Sequence, residues 1–114
     1  MRLTFSPQAA TDLEEIGDYI ARENLPRAVS FLDELETHCR RIAEMPEALP
    51  ARDDLAPGLR MAVHGNYLIL FRVVDDTVRV ERIVHGARKM EDVKARMKAL
   101  DELAEQAQKL KMGY

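Results

Sequence analysis

LRMAVHGNYLILFRVVDDTVRVERIVHGAR, residues 59–88, decides the fold. Gly65-Asn66 separates two apolar runs, and both residues tolerate the positive φ that a two-residue hairpin turn requires. Asp75-Asp76, just ahead of Thr77, is a second turn signal, because aspartate bonds readily to nearby backbone. The spacing predicts three antiparallel strands near 59–64, 67–74 and 77–85. The middle run, from Tyr67 to Phe71, is apolar on both faces, as a central strand covered on each side must be.

Upstream, residues 2–5 read as a short first strand, and Ser6-Pro7 opens a helix with a capping hydroxyl followed by proline at the first helical position. Leu13, Ile16 and Ile20, with Ala9 and Ala10 ahead of them, recur at helical spacing and mark a core face. A break at residues 23–26 starts a second helix, in which Ala28, Leu32, Leu35, Cys39 and Ile42 advance by four, three, four and three. The two helices are expected to form a hairpin on one face of the sheet. Met45-Pro46 ends the second helix, and the segment to Gly58, with Pro46, Pro50 and Pro57, reads as a loop. Beyond Arg88 the pattern becomes a long helix, 89–112, stopped by Gly113. Met90, Val93, Met97, Leu100, Ala104 and Ala107 trace its narrow seam, and Asp92 with Arg96 and Glu105 with Lys109 support it at i,i+4. Its first turns are expected to pack on the domain; its distal half reads either as a solvated tail or as a helix for self-association, which leaves a homodimer open.

The chain has 114 residues, enough for one domain that buries roughly two thirds of the surface its unfolded form exposes. The single cysteine, Cys39, lies on an apolar helical stripe and reads as a buried, reduced thiol, consistent with a cytoplasmic protein. No apolar run approaches the length of a membrane span. The net charge of −3 is uneven: residues 1–54 carry −6 and residues 55–89 carry +3. That local basic excess is too weak to predict direct nucleic-acid binding, and it suits an acidic protein partner. His38, His64 and His85 are far apart in sequence, so no metal site and no cofactor is expected.

The order strand, helix, helix, three antiparallel strands, helix, with the Ser6-Pro7 entry and the ending VERIVHGAR (80–88), resembles the RelE/ParE superfamily of bacterial toxin components. FSPQAATDLEEIGDYI (5–20), YLILFR (67–72) and RIVHGARK (82–89) look most like the ParE group. The resemblance implies an α+β fold of β-α-α-β-β-β-α order, with a toxin domain over 1–93 and a C-terminal helical extension over 94–114. It further implies the toxin of a type II toxin-antitoxin pair, inhibiting DNA gyrase by binding and neutralised by a ParD-like antitoxin, with operator DNA contacted only through the antitoxin. Two alternatives stay open: a RelE-like ribosome-dependent mRNA endoribonuclease, and an inactive member that retains antitoxin binding and co-repression.

Residue chemistry separates the first two. A metal-free ribonuclease needs a clustered base, acid and cations to activate a 2′-hydroxyl and hold phosphorane charge. The candidates are Arg60, Arg72, Arg82 and His85. Arginine stabilises phosphate charge but is a poor proton carrier, which leaves His85 alone in that role. RelE-like nucleases typically place a tyrosine or histidine close after the last strand; here Gly86-Ala87-Arg88 follows it, which counts against cleavage. For a binding toxin the candidate target contacts are Arg82, His85 and Arg88. The candidate antitoxin contacts are Tyr67, Ile69, Phe71, Met90, Val93 and Met97, as a groove on the sheet face away from the hairpin.

Overall fold

The computed structural model describes residues 1–86 and the backbone of 90–112, with side chains over 91–110 in that helix. Along the chain run β1 (Arg2–Phe5), α1 (Pro7–Ala21), α2 (Leu25–Glu44), a single 3-10 turn (Pro46–Ala48), β2 (Arg60–His64), β3 (Tyr67–Val74), β4 (Thr77–His85) and α3 (Met90–Met112). The strands form one sheet in the order β1-β4-β3-β2. The β2–β3 and β3–β4 pairs are antiparallel, whereas β1 runs parallel to β4 and pairs only as far as Phe5 with Val80. The fold is the α+β arrangement that the pattern of runs and turns predicts.

Local chemistry accounts for the boundaries. Ser6 caps α1, its hydroxyl accepting from the Ala9 N–H at 3.0 Å, and Asn24 caps α2 by accepting from the Arg27 N–H at 3.0 Å. Of the Gly65-Asn66 pair, Gly65 alone takes a positive φ, 57°, so the hairpin needs one left-handed residue rather than two. The second turn is made the same way, by Asp75 at φ 57°.

The sheet is covered on both faces. On one, α1 and α2 bury Ala9, Ile16, Leu35, Cys39 and Ile42 against Ile69, Phe71, Val78, Val80 and Ile83. On the other, α3 and the 55–59 segment bury Val93, Met97, Leu55 and Leu59 against Leu68, Leu70 and Val84. Leu59 is completely buried here although β2 starts one residue later, and Ala10, expected in the core, is exposed. Val93 and Met97 are each essentially fully buried, worth roughly 1.5–3 kcal/mol apiece, so the proximal half of α3 belongs to the fold. Leu103 and Leu110 are 59% and 68% exposed, so burial ends near Leu100.

This layering corrects one expectation. Tyr67, Ile69 and Phe71 do not share a groove with Val93 and Met97: alternation turns the first three toward the helical hairpin, while α3 lies on the opposite face. The central strand is already sandwiched, so its apolar faces are not an open antitoxin groove. Met90 is among these candidates, but its side chain lies outside the described residues.

Candidate functional site

The free part of the β4 edge organises the site. Because β1 stops at Phe5, the stretch of β4 beyond Val80 has no strand partner on that side among the described residues, and an unpaired buried edge is costly. Side chains at the start of α1 take its place. The Ser6 hydroxyl donates to the Glu81 carbonyl at 2.7 Å, and the Asp12 carboxylate accepts from the Ile83 N–H at 2.9 Å. Arg82 closes a two-point pair with the same carboxylate, Nε and Nη2 donating at 2.7 and 2.8 Å. Asp12 is only 7% exposed, so this pair sits in a poorly solvated setting where its geometry counts. Pairing with Asp12 holds the Arg82 guanidinium firmly protonated, its pKa pushed up against the opposing effect of burial.

β4 carries a bulge beside Arg82. Phe71 pairs with Val80 and Leu70 with Arg82, leaving Glu81 as the extra residue. The bulge shifts the alternation, so Val78 and Val80 face the hairpin while Val84 faces α3, rather than all sharing one face.

The other arginines are committed elsewhere. Arg72, on β3, donates two parallel bonds to Asp101 of α3 at 2.9 and 3.0 Å and a third to the Pro57 carbonyl at 3.1 Å, clamping α3 and the loop to the sheet. Arg60, at the start of β2, donates to the Leu49 carbonyl and ties down the preceding loop. The structure therefore does not gather Arg60, Arg72 and Arg82 into one cationic cluster.

It does bring Arg82 and His85 together. Both line a cleft of about 150 Å³ between α1 and the end of β4, with Tyr67, Arg96, Asp12 and Glu15. His85 is exposed and meets Tyr67 edge-on, the ring centres 5.3 Å apart at 78°. Burial, and secondarily Tyr19, pushes the Tyr67 phenol up, so it stays a neutral hydrogen-bonding group near pH 7. Arg88, the third candidate target contact, lies outside the described residues. Sequence reasoning missed Asp12 and Arg96. Asp12 had a legible signal, since it falls between Ala9 and Ile16 on the apolar face of α1, where an acid needs a partner.

Among the described residues, no helix is long and apolar enough to cross a membrane. No curated protein matches the sequence at a significant level. Among solved structures, the chain is similar to a protein of the chromosomal ParDE toxin-antitoxin system from P. aeruginosa, 22% identical with a TM-score of 0.66, covering 75% of this chain and 95% of that one. It is also similar to a chain of the toxin-antitoxin complex RelBE2 from Mycobacterium tuberculosis, 25% identical with a TM-score of 0.55, covering 74% and 95%. The family model for the ParE toxin of type II toxin-antitoxin systems, parDE, matches residues 3–90, which takes in every residue named in the cleft except Arg96. With more than half its length inside that match, the chain belongs to the ParE toxin family.

Proposed function

We propose that this chain is the toxin of a type II toxin-antitoxin pair, and that it acts by binding DNA gyrase rather than by cleaving RNA. The observation that carries this reading is the commitment of the arginines. A metal-free ribonuclease must offer cations to a developing phosphorane. Here Arg82 is engaged by Asp12, Arg72 by Asp101 and Arg60 by the Leu49 carbonyl, at three separate places. Turning the Arg82 guanidinium to phosphate would break the buried Asp12 pair that caps the β4 edge.

His85 and Arg88 then serve recognition, at the end of β4 and just beyond it, where a cation is poorly placed for the dipole of the following helix. Neutralisation falls to a cognate ParD-like antitoxin, whose binding to the native state raises the melting temperature. The acidic balance of residues 1–54 and the mild basic excess of residues 55–89 offer such a partner charge complementarity.

The deciding experiment assays purified protein side by side on gyrase supercoiling and on ribosome-bound mRNA. Blocked supercoiling, relieved by Arg88→Ala with the fold intact, is the expected result. Codon-positioned cuts in mRNA, abolished by His85→Ala, would overturn the reading.

A further inference from the structure

All three histidines of the chain sit in one run of ring contacts. His38 of α2 faces His64, the last residue of β2; His64 meets Phe31 edge-on at 5.5 Å; Phe31 meets Tyr67 at 5.6 Å; Tyr67 meets His85 at 5.3 Å. The first link differs in kind from the rest. The two Nδ1 atoms are 2.8 Å apart, a hydrogen-bond distance, with ring centres 5.1 Å apart, so each nitrogen lies on the facing side of its ring, near the line joining them. A chelated metal would need both lone pairs to converge on a third point. Among the described residues there is also no cluster of three or more His, Cys, Asp or Glu able to hold one.

Two facing Nδ1 atoms at this distance must share a single proton, one ring donating and the other accepting. A first additional proton enters at the outer nitrogen of the donor ring and leaves the bond intact, now charge-assisted. A second has only the accepting Nδ1 to occupy. Both nitrogens then carry N–H groups pointing at each other, and the contact cannot survive. We propose that His38 and His64 form a proton-operated latch between α2 and the end of β2, closed by one shared Nδ1 proton and opened when acid protonates both.

The surroundings suit this role. An open groove of about 440 Å³ runs beside the pair, giving solvent access, and Asp33, Glu34 and Arg41 of α2 line it. Arg27 pairs with Glu34 at 3.0 Å and lies over the Phe31 ring, so one carboxylate of the groove is already engaged. From the sheet side, Tyr67 and His85 face Phe31 and Tyr67 in turn. Burial first, then His64, then Arg41 press the His38 pKa below its ordinary 6.5. The contact is therefore fully present above pH 6.5 and is lost as the pH falls through the lower value that His38 has in the folded protein. Opening would release His64 from Phe31 and loosen the ring run that ends at His85 in the cleft. The latch rests on the geometry of the pair and is independent of the toxin's target.

The test is an NMR titration of the histidine rings from pH 8 to 4 in the intact protein and in His64→Gln, whose amide oxygen accepts from His38 at any pH. In the intact protein the pair should take its two protons in steps at least tenfold apart in proton affinity, the second coinciding with shift changes at β2 amides. In His64→Gln, His38 should bind its proton several-fold more tightly and the acid-induced change in β2 should vanish; His38→Gln should free β2 in the same way. Coincident steps in the intact protein, or an unchanged His38 midpoint in His64→Gln, would show that burial alone acts on His38 and would overturn the latch.

Discussion

Replacing Asp12 by alanine tests the account of the β4 edge most directly. The substitution removes both partners of Arg82 at 2.7 and 2.8 Å and the acceptor of the Ile83 N–H at 2.9 Å. The Arg82 side chain is only 14% exposed and that of Asp12 8%, so the guanidinium is left largely buried and unpaired. Breaking a buried pair from one side costs about 3–5 kcal/mol, and an orphaned backbone N–H about 1–3 kcal/mol; the two overlap, and about 3–5 kcal/mol is expected in total. Against a typical stability of about 5–15 kcal/mol that is a large fraction. The measurement is urea unfolding followed by circular dichroism. With a slope of about 1–3 kcal/mol per M, the midpoint should fall by at least about 1 M.

Two variants make the reasoning specific. Asp12→Asn keeps an oxygen for the Ile83 N–H and should recover about 1 kcal/mol of the loss. Asp101→Ala removes a pair whose carboxylate is 40% exposed, and should cost only about 0–1 kcal/mol despite similar bond lengths. If Asp12→Ala and Asp101→Ala cost the same small amount, the edge-capping role of Asp12 is refuted. One corollary concerns activity: Arg82→Ala should lower toxicity only as far as it lowers the amount of folded toxin, so toxicity compared at equal folded concentration should be unchanged.

Among the described residues, truncation after Leu103 removes only exposed positions of α3 and should leave a folded, antitoxin-binding domain; truncation after Met90 strips Val93 and Met97 from Leu68, Leu70 and Val84 and should aggregate. Equal solubility of the two would show that α3 is not part of the core, and a change from dimer to monomer in light scattering on the shorter deletion would assign the distal half to self-association. Cys39 is buried, and burial, with a smaller contribution from Glu36, pushes its thiol up to about 11. It should therefore resist thiol reagents at pH 8 in the native state and react only on unfolding; prompt labelling of the folded protein would contradict its place on the buried face of α2.

The sequence by itself determined the elements of this protein. Alternating runs around Gly65-Asn66 and Asp75-Asp76 predicted β2, β3 and β4 to within a residue, and the cap at Ser6 and the break at residues 23–26 located α1 and α2, because turns and caps are decided by residues within a few positions of each other. The motifs carrying the ParE resemblance are local in the same sense, and the family match follows them. What only the tertiary structure decided are contacts across the chain. Arg82 was legible as a candidate site residue, but its pairing with Asp12, 70 positions away across the β4 edge that the short β1 leaves free, was not. Arg72 looked available until α3 brought Asp101 to it, and His38 and His64, 26 positions apart, read as unrelated until α2 packed against the end of β2. Strand alternation predicts that neighbouring residues take opposite faces, but it cannot say which face meets which helix. That assignment placed Ile69 and Phe71 under the hairpin and left Val93 and Met97 on the other side, because it depends on how the layers pack rather than on any spacing within the strand.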